Sequence, residues 1–297
     1  MTLPTVSATP RIAHVISGLT TGGAEMMLLK LVRGGERRFS HDVISLSTAG
    51  TVGPLLEQAG ARVHALNLKP GTLPTFNALD LVRLLNRLQP NIIQGWMYHG
   101  NVAASCARMF MKRRPALSWS VRCSLNDSES EKWLTRGVVK VGAILSRRPS
   151  AIIYNSHLSR AQHKSTGYSD RHATVIPNGF DTGAFQIDAA ARDSMRRRSV
   201  IPSNSFVVGL IARNHPMKDH RTFFAAAIKV SRARSDVTFV AAGSDIPRLA
   251  ESMQDLVGEL GPRLILLPEQ SNISVREGLR PLRRRHAGCG RGHEGGR

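Results

Sequence analysis

Four short stretches hold the residues most able to do chemistry. The first is GLTTGGAE, residues 18–25, which follows the apolar run 12–16. Gly22 and Gly23 leave backbone N–H groups open to an anion at the start of a helix, where the macrodipole adds positive potential. Glu25 in the first helical turn suits the same dipole. The second is GWMYHGN, residues 95–101, where His99 follows a strand with Asn101 beside it. Such a pair could orient a hydroxyl or stabilise a developing charge, and a purely structural histidine is the plain alternative. The third is ARNHPMKD, residues 212–219. Its cations Arg213 and Lys218 flank a loop beyond the carboxyl end of a strand, where α/β sheets bind ligands. Two cations there would neutralise charge growing on a departing diphosphate, or they are simply surface cations. The fourth is VIPNGFDTGAF, residues 175–185, in which Pro177-Asn178-Gly179 signals a turn and an inter-domain elbow.

The elements that must position these residues alternate between strand-like and helix-like patterns. Strands are expected at 12–16, 42–47, 62–66, from 92, at 116–121, 151–155 and 173–177, with helices at 24–33, 52–60, 78–88, 102–111 and 138–145. Residues 181–202 are polar and charged. The rhythm then restarts with strand 206–211, helix 221–234 capped by Asp219, strand 237–241, helix 247–260 and strand 264–267. The expectation is an α/β chain with mostly parallel sheets. Its parts would be an N-terminal Rossmann-like domain at 1–180, a linker at 181–202, a partial C-terminal Rossmann-like domain at 203–275 and a tail at 276–297.

Composition narrows the function. Of 297 residues 41% are hydrophobic, enough for real cores. The three cysteines, Cys106, Cys123 and Cys289, are too few for a disulfide framework or zinc cluster, which points to a reducing cytosol. No signal peptide or membrane-spanning run is visible. The net charge of +20 falls partly on the tail, whose seven Arg and two Glu leave +15 over the first 275 residues. Runs such as Lys112-Arg113-Arg114, Arg147-Arg148 and Arg196-Arg197-Arg198 suit anionic partners: a phospholipid surface or phosphorylated substrates. Few aromatics lie among them and no RNP-like or zinc-finger pattern occurs, which argues against nucleic acid. The tail has six glycines and no hydrophobic period. It is either a disordered basic tail or the product of a reading frame lost near Ser274, as out-of-frame GC-rich DNA would give; the second is the expectation.

Taken in order, these stretches resemble the retaining GT-B glycosyltransferases of the family 4 type. The GGAE loop matches at Gly22-Gly23-Ala24-Glu25, the V-I-P-N-G-x-D-x-x-x-F linker matches at 175–185, and the Arg-x4-Lys pair matches at Arg213 and Lys218. The resemblance covers about residues 11–270. It implies two Rossmann-like domains facing a cleft, the second incomplete here. It also implies transfer of a hexosyl group, with retention, from a UDP- or GDP-type nucleotide diphosphate-sugar to a saccharide or lipid-linked acceptor. Surface polysaccharide or glycolipid synthesis would follow, with no metal or cofactor, in the cytoplasm or peripherally on the inner face of the membrane. Carried over, Arg213 and Lys218 hold the diphosphate, Gly22 and Gly23 offer N–H groups to it, and His99 and Asn101 lie on the acceptor side. The family's Glu-x7-Glu signature has no true match. Glu251/Glu259 lies before the third strand of the second domain, and Glu269/Glu277 straddles the start of the tail, with Arg at 285. An impaired or inactive enzyme is therefore expected. Two other readings stay open: another nucleotide-binding α/β protein, or a non-catalytic basic protein for membrane or nucleic acid. An NAD site is disfavoured because the strand at 42–47 runs into Thr48 without an acidic residue for the ribose.

Overall fold

A computed structural model describes residues 9–36, 38–68, 77–125, 133–180 and 187–269. They divide into two compact units, Met1–Gly179 and Phe180–Arg297. The expected basic tail and the Glu277 position lie outside the described residues.

The first unit alternates β1 (Arg11–Ile16), α1 (Gly23–Gly35), β2 (Ser40–Ser45), α2 (Gly53–Gln58), β3 (Arg62–Ala65), α3 (Asn77–Leu88) and β4 (Ile92–Trp96). It continues with α4 (Met97–Met109), β5 (Ala116–Val121), α5 (Trp133–Leu145), β6 (Ala151–Tyr154), α6 (His157–Ser165) and β7 (Ala173–Val175). Every strand pairs in parallel, in the order β3-β2-β1-β4-β5-β6-β7. The chain builds outward from β1 to β3 and then restarts on the other side of β1 with β4. The carboxyl ends of β1 and β4 therefore flank the topological switch point, where open α/β sheets take their ligands. Successive side chains of a strand face opposite ways. Accordingly Val15 joins a core with Leu85, Trp119 and Tyr154, while Ile16 joins another with Leu28, Leu56 and Trp96. Covered on both faces, the inner strands read as apolar runs.

The second unit contains α7 (Ala189–Arg198), β8 (Phe206–Ile211), α8 (His220–Ala233), β9 (Val237–Ala242), α9 (Ile246–Glu251), α10 (Gln254–Leu260) and β10 (Leu264–Leu267). Its parallel sheet has the order β10-β9-β8. All six residues of central β9 are buried, whereas the four of β10 are half-buried.

Helix boundaries differ from expectation more than strands do. The segment expected to be one helix at 247–260 is two, because Ser252 turns back on Leu249, its N–H and its hydroxyl both donating to the Leu249 carbonyl. Two short polar helices, α6 and α7, were not foreseen. Each rests on a cap: the Ser156 hydroxyl accepts from Ser159 N–H at 3.1 Å, and Asp188 accepts from Ala191 N–H at 2.9 Å. Arg196, Arg197 and Arg198 then close α7, where cations suit the helix dipole. Helix α4 begins at Met97, ahead of the expected start at 102, so His99 lies in a helical turn and not on a loop.

Candidate functional site

The first unit gathers its candidate residues at the switch point. Beyond β1, Gly22 caps α1 in an extended conformation, and its carbonyl accepts from Met26 N–H at 3.0 Å. A Cβ on Gly22 would collide with the Glu25 carboxylate, while a Cβ on Gly23 would meet nothing within 4 Å. The helix start at Gly23 thus opens on free space, as an anion-binding N-terminus requires. Beyond neighbouring β4, His99 is exposed in the first turn of α4. Asn101, two residues on, points elsewhere, as i and i+2 do on a helix. It is 2% exposed, and neither its amide oxygen nor its amide nitrogen has a hydrogen-bond partner. The structure brings His99 to the exposed edge and places Asn101 beneath it, against the Gly95 backbone, where a Cβ would stand 2.6 Å from Asn101 Cα.

That first turn of α4 is held from below. Tyr98 Oη lies 3.0 Å from His163 Nε2 and accepts from Cys123 Sγ at 3.1 Å. His163 Nδ1 lies 2.7 Å from the Ser159 carbonyl, which makes it the donor there and leaves Nε2 to accept from the tyrosine. Burial lowers the His163 pKa and keeps the ring neutral for this role.

Arg122, just past β5, is a residue that motif reading did not single out. Its guanidinium carbon sits 5.7 Å from the centre of the Trp96 ring, and burial lowers its pKa without removing its charge. Its Nη1 donates to the Ile176 carbonyl at 3.0 Å and to Asn178 Oδ1 at 3.2 Å. Lys30 of α1 donates to the Gly179 carbonyl at 3.0 Å. The Pro177-Asn178-Gly179 turn is thereby clamped to the carboxyl edge of the first unit.

In the second unit the corresponding edge carries Arg213 and Lys218, both exposed and neither in an ion pair among the described residues. Their loop is fixed at three points. Gly243, at φ +153, allows the end of β9 to meet the Ala212 carbonyl, where any Cβ would clash. Asn214 N–H donates to the Ser244 carbonyl at 2.9 Å. Buried His220 lies beside the Ala212 backbone, and burial lowers its pKa. Asp219 caps α8 as expected, accepting from Thr222 N–H at 3.2 Å. Ser244 also donates to Glu269 Oε2 at 2.8 Å, which puts a carboxylate beyond β10 on the same edge. Of the other spaced glutamates, Glu259 lies on α10 before β10 and is paired with Arg232 at 2.6 Å.

Comparison with known proteins agrees with this architecture. Residues 21–184 match the family model of Glycosyltransferase Family 4. No curated protein sequence matches the chain. Among solved structures, Alr3699/HepE of Anabaena in complex with UDP-glucose superposes with a TM-score of 0.74 at 21% identity, covering 90% of this chain and 71% of that one. Sucrose-phosphate synthase of Thermosynechococcus elongatus gives 0.70 at 14% identity, covering 91% and 74%. A glycosyltransferase of Rickettsia africae gives 0.68 at 12% identity, covering 92% and 72%. These likenesses establish the GT-B fold.

Proposed function

The chain belongs to Glycosyltransferase Family 4, and from that premise we propose that it binds a nucleotide diphosphate-sugar and transfers a hexosyl group with retention. The acceptor would be a saccharide or lipid-linked glycan in the making of a surface polysaccharide or glycolipid. The observation that carries this reading is the pair Arg213 and Lys218, cations in no ion pair among the described residues, on a loop held at Gly243, Ser244 and His220. When the bond from the anomeric carbon to the diphosphate breaks, negative charge grows on the leaving oxygen, and fixed cations stabilise it most at that moment. The N–H groups at Gly22 and Gly23 would add to the binding of phosphate oxygens. His99 would face the transferred sugar and the incoming hydroxyl, with Asn101 supporting its helical turn from the buried side. In this reading side-chain cations neutralise the diphosphate and no metal is needed. UDP is preferred over GDP because the superposed Anabaena protein binds UDP-glucose.

Activity of these 297 residues is proposed to be low. Glu259 is committed to Arg232, so the Glu251/Glu259 pair does not supply two carboxylates at the donor edge; of the spaced glutamates among the described residues, Glu269 alone stands there. The test is calorimetric titration with UDP, GDP and NAD, followed by an assay of UDP release from UDP-glucose. Binding of UDP with slow turnover supports the reading. Binding of NAD alone, or of no nucleotide, overturns it.

A further inference from the structure

The C-terminal ends of α4 and α5 expose large apolar side chains beside runs of cations. Phe110 is 72% exposed and Ile144 76%, with Met109 and Val141 less so. Lys112-Arg113-Arg114 and Arg147-Arg148 follow directly, all exposed, and none pairs with a carboxylate among the described residues. The two helices pack on each other and lead into adjacent strands, so the two corners stand side by side on the amino edge of the sheet. One corner is stiffened from within: Lys112 N–H donates to Asn86 Oδ1 at 3.1 Å and Arg108 Nε to the Pro115 carbonyl at 2.6 Å. Beside it lies a cleft of about 350 Å³ lined by Asn86, Asn91 and the three cations.

Scattered surface hydrophobics need no explanation, but a phenyl ring and an isoleucine bracketed by five uncompensated cations form a patch of two chemistries. A polyanion in water would use the cations and leave the apolar groups wet. An anionic bilayer uses both, its phosphates meeting the cations while the apolar tips enter the headgroup boundary. We propose that this corner docks the chain on an anionic phospholipid surface, with headgroup phosphates seated at Lys112, Arg113 and Arg114. The patch lies at the opposite end of the strands from His99. Docking would hold the candidate site about one strand length, roughly 20 Å, above the bilayer. That suits an acceptor sugar at the far end of a lipid-anchored glycan and excludes one next to its lipid.

The test is co-sedimentation of the full chain with vesicles at physiological ionic strength. Vesicles of equal parts phosphatidylcholine and phosphatidylglycerol are compared with phosphatidylcholine alone. Binding is expected only to the anionic vesicles. The combined charge reversal R113E, R114E, R147E and R148E should lower partitioning by about a hundredfold or more. Phe110→Ser with Ile144→Ser should lower it by about tenfold and leave retention on a heparin column unchanged. Phe110→Trp should keep binding, with a blue-shifted emission on vesicles, and R197E with R198E on α7 should bind as wild type. Because all the sites are exposed, circular dichroism of each variant should match the parent. Unchanged partitioning in the charge-reversed or the serine variant overturns the proposal, as does binding to polyphosphate or RNA without binding to vesicles.

Discussion

The two units hold their candidate loops in different ways. In the first, the helix starts carrying Gly22, Gly23 and His99 follow β1 and β4, inner strands of a seven-stranded sheet with paired neighbours on both sides. Their last residues, Ile16 and Trp96, are almost fully buried. In the second, Arg213 leaves β8, an edge strand among the described residues, and only β9 has neighbours on both sides. Its position depends on a few specific contacts, at Gly243, Ser244 and His220. Local stability follows buried contacts, so the cations proposed to hold a diphosphate ride on the softer unit. The proposed diphosphate cations are therefore fixed by point contacts within their loop, and the turn carrying His99 by the surrounding sheet.

This contrast can be broken most directly by unfolding. All three tryptophans and all three tyrosines lie in the first unit, so intrinsic fluorescence reports on it alone, while far-UV circular dichroism sees both. Phe224 is fully buried in the core of the second unit. Phe224→Ala should destabilise that unit by about 3–5 kcal/mol, enough to melt it early. The dichroism transition should split or shift down while the fluorescence transition stays in place. If both transitions move together, the units unfold as one and the contrast fails.

A smaller effect separates binding from folding. Arg213→Ala removes a charged donor from an exposed loop and should weaken UDP affinity by about tenfold to a hundredfold, or roughly 1.5–3 kcal/mol. Titration calorimetry should show the loss, and neither melting transition should shift by more than about 0.5 kcal/mol. A large shift in melting would mean that Arg213 serves the fold.

Acid sharpens the comparison from the side of the first unit. Burial, with the His41 charge second, pushes His14 down to about 3, and burial also lowers His41 and His163 there and His220 in the second unit. A histidine whose pKa is lower folded than unfolded contributes stability that is present above about 6.5 and lost as pH falls. His14 alone should cost roughly 1.4 kcal/mol per pH unit below that point. The fluorescence melting temperature should therefore drop between about pH 7 and about pH 5 more steeply than the transition of the second unit. His14→Gln, which keeps a polar partner for Trp96 without titrating, should flatten the slope; an unchanged slope would assign the acid sensitivity elsewhere.

Strands were legible in the sequence as short runs rich in apolar residues between turn signals: the bounds 116–121, 206–211 and 264–267 agree to the residue with β5, β8 and β10. Helix starts were less so, because they depend on backbone fit. Helix α4 can begin early only since Gly100 has no Cβ to strike the Val15 carbonyl. Helices α6 and α7 lack an apolar stripe, and their only signals were the caps Ser156 and Asp188. His99, Arg213 and Lys218 could be read as strand-end residues. Arg122 could not, because its partners Ile176 and Asn178 lie more than fifty residues away and meet it only through the strand order. The pairing of Ser244 with Glu269 is hidden for the same reason.

The smallest effect probes the loop itself. Asp219 sits between Lys218 and α8 in the left-handed region, at φ +49, and caps the helix through Thr222 N–H. Two separable costs follow. Asn keeps a capping oxygen and tolerates this backbone, so Asp219→Asn should be close to neutral. Gly relieves the backbone but lacks the acceptor and should cost a few tenths of a kcal/mol. Ala loses the cap and is strained as well, for roughly 2 kcal/mol in all. Dichroism should rank the variants Asn, Gly, Ala, while tryptophan fluorescence stays still. UDP affinity should follow the same order if the cap places Lys218. A glycine variant as unstable as the alanine one would show that the capping bond, not the backbone angle, sets the loop. An affinity unchanged across all three would show that Lys218 needs no such support in any phosphate contact, and the second unit would be stiffer at its edge than its three described strands imply.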